Sequence, residues 1–175
     1  MIYVLAYPIF EPKSAERIRA FRAKHEPERA RLVRPHITLV FGVADEHRQA
    51  VSGLVDMVSG QTSAFPIIFD RCVIEFDPFE TKYKLFLLCP DENKGITALH
   101  DQLYDGVYRS ELNSEHPFRP HMTIASCDER VDAEQIDVSE IGDLPIRANL
   151  CALTLVRLDG DRLTELKTAP LSAKV

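Results

Sequence analysis

The sequence predicts an α+β protein built from two similar halves, and three observations support that fold class. Segments rich in β-branched and aromatic residues alternate with segments whose apolar residues recur at helical spacing. Two hexapeptides, RPHITL at 34–39 and RPHMTI at 119–124, agree at arginine, proline, histidine and threonine. Each hexapeptide lies on the middle strand of the order strand, helix, strand, helix, strand. We therefore expect a duplicated, bilobal, pseudo-twofold molecule, with two antiparallel-rich sheets facing a central cleft and helices outside.

The first half, about residues 1–80, is predicted to contain three strands and two helices. The expected strands span 2–7, 33–43 and 64–76, and the expected helices span 13–25 and 46–60. In the first helix, Ile18 and Phe21 fall near one face, and in the second helix Val51 and Val55 do so. Both helices should therefore pack one apolar face against a sheet.

The second half, about residues 81–175, repeats that order and ends in an added hairpin. The expected strands span 82–90, 118–127, 145–158 and 162–169, and the expected helices span 91–112 and part of 131–141. The longer helix opens on Asp91, a good N-cap residue, and places Ile96, Leu99 and Val107 on one side. Asp159-Gly160 is a typical hairpin turn between the last two strands. A chain of 175 residues with one such pair of halves should form a single domain.

The composition is that of a globular cytoplasmic protein. Apolar residues make up 45% of the chain, charged residues 27%, and no apolar run is long enough to span a membrane. Four cysteines lie apart in apolar stretches, which favours buried thiols over disulfides or zinc ligands. The net charge of −6 argues against broad binding to a nucleic-acid backbone, yet it allows a local basic cleft for one phosphate.

The two hexapeptides place a histidine and a threonine on one face of each motif strand. Alternate side chains of a strand point the same way, so His36 faces with Thr38, and His121 faces with Thr123. The proline before each histidine cannot donate a ladder hydrogen bond, which suits the start of a strand. If an approximate twofold axis relates the halves, both His-x-Thr pairs can face one cleft.

Two histidines across a cleft suit the chemistry of phosphoryl transfer. An unperturbed imidazole has a pKa of about 6.5, so one ring can be neutral and the other protonated near neutral pH. The neutral ring removes a proton from the attacking group, and the protonated ring donates one to the departing oxygen. In-line displacement places these groups on opposite sides of phosphorus, and threonine hydroxyls can hydrogen-bond its non-bridging oxygens. No metal or cofactor is required.

The paired H-x-T motifs and the duplicated order of elements resemble the two-histidine (2H) phosphoesterase superfamily. That superfamily includes RNA 2′,3′-cyclic phosphodiesterases, many of which carry the name 2′-5′ RNA ligase. The resemblance covers nearly the whole chain in its order of elements, but only the two hexapeptides in sequence. It implies a bilobal α+β fold, metal-independent chemistry on a nucleotide phosphodiester, and catalytic duty for His36, Thr38, His121 and Thr123.

Four further residues are candidates for substrate binding. Arg34 and Arg119 lie two residues before the histidines, where they either reach the phosphate or stay on the surface. Tyr83 and Lys84 point to opposite faces of their strand, so at most one of them lines the cleft. Aromatic rings such as that of Phe41 are candidates for stacking a base, although core packing is their more frequent role.

The resulting hypothesis is a metal-independent phosphodiesterase that hydrolyses a 2′,3′-cyclic phosphate or a related nucleotide or RNA phosphodiester. Its partner would be a nucleotide or an RNA end, and the protein would act as a monomer without a membrane. In one direction, His121 activates water and His36 protonates the leaving oxygen, and symmetry allows the reverse. Two alternatives stay open: an RNA- or nucleotide-binding module without useful turnover, and a 2′-5′ RNA ligase. Zinc binding would need a third ligand, and no nearby residue has the usual spacing.

Overall fold

A computed structural model describes residues 1–90, 94–105, 109 and 117–172 of the chain. The strands in these residues are β1 (Ile2–Ala6), β2 (Ile9–Phe10), β3 (Ile37–Val43), β4 (Phe65–Phe69), β5 (Arg71–Asp77), β6 (Lys82–Leu88), β7 (His121–Cys127), β8 (Ile146–Leu150), β9 (Ala152–Asp159) and β10 (Arg162–Pro170). The helices are α1 (Pro12–His25), α2 (Pro27–Leu32), α3 (Arg48–Gln61), α4 (Lys94–Leu103) and α5 (Arg130–Glu134). Short 3₁₀ turns precede α3 and β8, at Asp45–His47 and Val138–Ile141.

The strands form antiparallel sheets whose edges carry the two motifs. One sheet has the order β10-β9-β1-β3, a second has β2-β8-β4, and a third has β5-β6-β7. The second and third sheets are joined because β4 continues through Asp70 into β5. The α+β class with antiparallel sheets and packed helices is therefore confirmed.

The helices cover the sheet faces that carry the core. α3 packs against β9 and β10, α4 packs against β3, and α1 packs against β7. The largest fully buried apolar side chains are Phe21, Phe69, Ile2, Ile18, Ile37, Leu39, Ile67, Leu85, Leu87 and Leu88. No helix in the described part of the chain is both long and apolar enough to cross a membrane.

The predicted helices have the expected apolar faces. Ile18 and Phe21 are buried on α1, and Val51 and Val55 are buried on α3. On α4, the buried positions include Ile96, Leu99 and Leu103. The proposed N-cap residue Asp91 and the apolar residue Val107 of the longer predicted helix lie outside the described residues.

Two predicted long strands are wrong, because each one is two strands that belong to different sheets. The run 64–76 breaks at Asp70, whose backbone N–H donates to the Leu88 carbonyl at 3.1 Å. The run 145–158 breaks at Cys151, whose carbonyl accepts a hydrogen bond from Leu171 N–H at 2.8 Å. Both runs stay apolar across the break, so the sequence pattern does not record the change of partner.

Two short elements have no counterpart among the predicted ones. α2 spans only six residues and has no buried residue, so its sequence has no apolar periodicity to detect. β2 has two residues and pairs with Ala148 and Asn149 of β8. The predicted hairpin at Asp159-Gly160 is confirmed, with Gly160 at φ +56°, a conformation that favours glycine.

Sheet membership does not follow the two halves of the chain. β9 and β10 come from the second half, yet they complete the sheet that holds β1 and β3. β4 comes from the first half and pairs with β8 of the second. The lobes are therefore not the segments 1–80 and 81–175. The repeated unit is three strands, β9-β1-β3 in one sheet and β5-β6-β7 in the other, each with its motif strand at the edge.

Candidate active site

The two motif strands occupy corresponding edge positions and begin where the prolines require. β3 begins at Ile37, directly after His36, and β7 begins at His121. Pro35 and Pro120 lie outside their strands, so neither has to donate a backbone N–H to the sheet. The histidines therefore lie at the starts of two edge strands, as the sequence predicts.

Both motif strands contain a register shift at the same position of the motif. The aligned pairs on either side of the shift are Val4–Val40 and Leu5–Thr38 for β3, and Leu85–Ala125 and Phe86–Thr123 for β7. Leu39 and Ile124 are therefore the extra residues, each three positions after its histidine. A bulge re-aims the side chains around it, and both extra residues are buried. The duplication thus extends to the local backbone.

Each histidine is held by the same hydrogen bond within its own motif. Nδ1 of His36 donates to the Arg34 carbonyl at 2.8 Å, and Nδ1 of His121 donates to the Arg119 carbonyl at 2.7 Å. A carbonyl oxygen only accepts, so the bond assigns the proton of the neutral ring to Nδ1. Nε2 then carries the lone pair that can accept a proton, and after protonation it becomes a donor. Either ring can therefore act as the base or, once protonated, as the acid.

The surroundings of His36 favour its neutral form. Burial lowers the pKa of His36 to about 3, and the Arg34 carbonyl opposes that shift. The positive charges of Arg29, Arg22 and protonated His121 lower the same pKa further. His121 therefore lies close enough to influence the protonation of His36.

His121 has similar but more balanced surroundings. Burial lowers the pKa of His121, and the hydrogen bond to the Arg119 carbonyl opposes that effect. The charges of Arg119 and Lys84 lower this pKa as well, whereas the carboxylate of Glu75 raises it. The neighbouring aromatic ring of Phe86 packs against the imidazole at a centroid distance of 4.3 Å.

Both motif arginines are engaged by a glutamate of their own sheet. Arg34 Nη2 lies 2.9 Å from Glu165 Oε1, and its guanidinium lies 4.0 Å from the centre of the Tyr7 ring. Arg119 forms an ion pair with Glu75. Ion pairs therefore hold both arginine side chains along their own sheets. Each arginine lies beside the histidine whose Nδ1 donates to the arginine's backbone carbonyl.

The structure separates Lys84 from Tyr83. Lys84 is paired with Glu75 of β5 and Ser126 of β7, on the face of Phe86 and Thr123. Tyr83 points to the opposite face, where its ring lies 5.2 Å from that of Phe76. Of the two candidates, Lys84 therefore shares the face of the motif.

Lys84 is almost fully buried, and carboxylates hold it. Its Nζ lies 2.5 Å from Asp77 Oδ2 and 2.8 Å from Glu80 Oε1. Glu80 also binds Arg29 Nη1 at 2.7 Å. This chain of charges joins α2, next to the first sheet, to the turn between β5 and β6 on the opposite wall.

Sequence reasoning misses a second polar group, at the end of α1. The arginines of α1 read as a solvated face, but Arg22 is only 2% exposed and pairs with buried Glu26. Arg22 Nη1 also donates to the Val33 carbonyl at 3.0 Å. The available signal was spacing: Arg22 follows the buried Ile18 by four residues, and Glu26 follows Arg22 by four.

All four cysteines are free, with Cys89 buried and the other three half-buried. Across the described ranges, no group of three or more histidine, cysteine, aspartate or glutamate side chains is placed to hold a metal ion.

Comparisons with known proteins agree on one family and one fold. The model of the 2′-5′ RNA ligase superfamily matches residues 10–162. Among solved structures, LigT of E. coli complexed with NADP+ has a TM-score of 0.62 and 22% identity, covering 98% of this chain and 96% of that one. LigT complexed with 3′-AMP has a TM-score of 0.61 and 25% identity, with 98% and 99% covered. The protein TT0787 of Thermus thermophilus has a TM-score of 0.60 and 21% identity, with 98% and 100% covered. No curated protein sequence matches.

Proposed function

The chain belongs to the 2′-5′ RNA ligase superfamily, within the two-histidine phosphoesterases, and on that premise we propose that it hydrolyses a nucleotide phosphodiester. The substrate we propose is a 2′,3′-cyclic phosphate of a nucleotide or an RNA end. The observation that carries the proposal is the matched pair of imidazoles. Each donates from Nδ1 to the carbonyl of its motif arginine, and each lies at the start of an edge strand. The complexes of E. coli LigT with 3′-AMP and NADP+ support a nucleotide as the ligand class.

The proposed reaction balances with two histidines and one water molecule. Nε2 of the neutral ring takes a proton from water as the water oxygen bonds to phosphorus. The bond from phosphorus to one ribose oxygen breaks on the opposite side, and the protonated ring gives that oxygen a proton. Thr38 and Thr123 donate hydrogen bonds to the non-bridging oxygens, where charge increases. The product is a phosphomonoester, and the proton exchanged between the rings returns through solvent.

The charges around the rings favour His36 as the base and His121 as the acid, over the reverse direction in which His121 activates water. Burial lowers the pKa of both rings, so a bound phosphate anion is needed to bring a proton to one of them. The cations Arg29 and Arg22 lower the pKa of His36 and no carboxylate of the described residues opposes them, whereas at His121 the carboxylate of Glu75 offsets part of the effect of Arg119 and Lys84. The proton should therefore go to His121.

The test uses purified protein with nucleoside 2′,3′-cyclic monophosphates and short RNAs that end in a cyclic phosphate. We expect hydrolysis that survives EDTA, and a loss of at least about a hundredfold in kcat for His36→Ala and for His121→Ala. Thr38→Val is a graded companion, expected to retain more activity than either histidine variant. Absence of turnover on the whole panel, or complete inactivation by EDTA, would contradict the proposal.

The family name favours a second candidate, the joining of RNA ends through a 2′-5′ bond. The same two proton transfers run in reverse when an RNA 5′-hydroxyl attacks a cyclic phosphate in place of water. Incubation of a cyclic-phosphate-ended RNA with a 5′-hydroxyl RNA, followed by product length analysis, separates joining from hydrolysis.

A further inference from the structure

Two phenylalanine rings, one from each of the two motif sheets, contact each other at the end of the motif strands that is away from the histidines. Phe41 of β3 is 59% exposed, and Phe79, in the turn between β5 and β6, is 70% exposed. Their ring centroids lie 6.5 Å apart, and the planes are tilted by 39°. Tyr3 of β1 packs edge-on against Phe41 at 6.0 Å. Together the two rings form a contiguous exposed aromatic patch, and such patches often mark binding surfaces.

Phe41 lies on the same sheet face as the first motif. Tyr7 contacts the His36 ring at 6.3 Å, and Tyr3, four residues earlier on the same face, contacts Phe41. Between these two contacts, Leu5 is aligned with Thr38. Val40, aligned with Val4, is one ladder step beyond Thr38, and Phe41 follows it inside a second register shift that ends at the pair Ile2–Val43. Phe41 therefore lies roughly 7 Å beyond Thr38 along the strand.

Phe79 approaches the same place from the other wall. It directly precedes Glu80, whose carboxylate bridges Lys84 of β6 and Arg29 of α2. Lys84 shares its face with Phe86, which packs against His121. The turn is therefore bound to both β6 and α2. It places Phe79 at the end of the shared face of Lys84 and Phe86 that is farther from His121.

We propose that Phe41 and Phe79 form a stacking platform for a nucleobase of the substrate. The inference rests on the proposed function, since it assumes that the phosphodiester lies between His36 and His121. Every base has a flat π-face, so stacking on aromatic side chains binds a nucleotide with little demand on its sequence. Both rings are largely exposed, and the distance of roughly 7 Å from Thr38 to Phe41 is about the span of a nucleotide from its phosphate to its base. The platform would thus bind the base while the histidines act on the phosphate.

The test compares two ligands that differ in the presence of a base, 3′-AMP and inorganic phosphate, by calorimetric titration. Phe41→Ala and Phe79→Ala should each raise the Kd of 3′-AMP by between about 5-fold and 150-fold and leave that of phosphate unchanged. Phe76→Ala is the matched control, because Phe76 is 50% exposed but packs with Tyr83 on the opposite face. In turnover of a 2′,3′-cyclic mononucleotide, the two platform variants should raise KM and change kcat less than about twofold.

Several results would overturn the platform. It fails if the wild type binds 3′-AMP no better than phosphate, or if both platform variants bind 3′-AMP as the wild type does. The second result would also arise if these rings served a partner protein instead. If Phe41→Ala does not fold, Phe41→Leu and Phe79→Ala decide the question. If the wild type hydrolyses no substrate, the proposed function fails on its own, and the comparison of 3′-AMP with phosphate still tests the platform.

Discussion

At the scale of single residues, the tautomer of the two histidines is determined by backbone atoms. His36 and His121 each donate from Nδ1 to the carbonyl of the arginine two positions earlier. The turn made by Arg-Pro-His brings that carbonyl back to the ring, so one tripeptide both starts the strand and orients its histidine. Mutating the arginine side chain leaves this bond in place, because the carbonyl belongs to the backbone.

The half-buried histidines, which burial keeps neutral, should make the folded state sensitive to mild acid. The pKa of His36 is about 3 in the folded state and about 6.5 when unfolded, so the unfolded chain binds more protons between these values. Stability is therefore full above about pH 6.5 and falls as the pH drops toward 3, by up to about 1.4 kcal/mol per pH unit for this group. Urea unfolding at pH 7 and pH 5 measures the slope.

His36→Gln serves as the comparison for that experiment, because it removes the titrating group at nearly the same volume. Its unfolding free energy should depend less on pH than that of the wild type over the same range. Equal slopes for the two proteins would show that His36 is not the buried neutral group described above.

The ion pair at the end of α1 should be visible in stability. Arg22 and Glu26 are both buried, and burial raises the pKa of Glu26 while the Arg22 charge opposes that shift. Arg22→Ala leaves the carboxylate buried without its partner, and we expect a loss of about 3–5 kcal/mol in unfolding free energy. The joint variant Arg22→Met, Glu26→Leu should recover most of that loss. A single variant as stable as the wild type would mean that the pair is solvated.

At the scale of elements, the two bulges show how a strand serves both core and cleft. Leu39 and Ile124 are buried, while the threonines that precede them remain half-buried on the motif face. The extra residue at this point bends each strand and re-aims the side chains beyond it, and β3 carries a second register shift between Val40 and Val43. Phe41 follows Val40 inside that second shift, and its ring packs against Tyr3. The irregular backbone of β3 therefore also helps to position the proposed platform.

Also at this scale, the length of an element decides whether its sequence reveals it. α1 and α3 each have 14 residues and show their apolar face in the sequence. α2 has six residues and supplies Arg29 to the cleft, yet no periodic pattern marks so short a helix. Helices of this size are stabilised by the elements they pack against, and that information is not local.

At the scale of the whole molecule, the repeated units are interleaved along the chain. β1 obtains its second neighbour, β9, from the far end of the sequence, and β4 pairs with β8 across the two halves. The first sheet can be completed only after β9 and β10, the last two strands along the chain, have been synthesised. Strand pairings at such sequence separation predict slow, cooperative folding of the entire chain.

This interleaving predicts that neither half is a module. A fragment of residues 1–80 has β1 and β3 but lacks β9 and β10, so its sheet ends in unpaired edges. We expect that fragment to show no cooperative unfolding by circular dichroism, and to gain structure when co-expressed with residues 81–175. Cooperative unfolding of 1–80 alone would contradict this, and the full chain is the positive control.

The sequence by itself determined the fold class, most element positions and the two motifs, because these depend on local spacing. The alternation of a strand predicts that His36 faces with Thr38, and the repeated hexapeptide predicts that His121 and Thr123 mirror them. Only the tertiary structure decided which strands are neighbours, that the long runs break at Asp70 and Cys151, and which charges surround each ring. Pairing across more than a hundred residues leaves no periodic trace, since either partner would look equally apolar beside another strand.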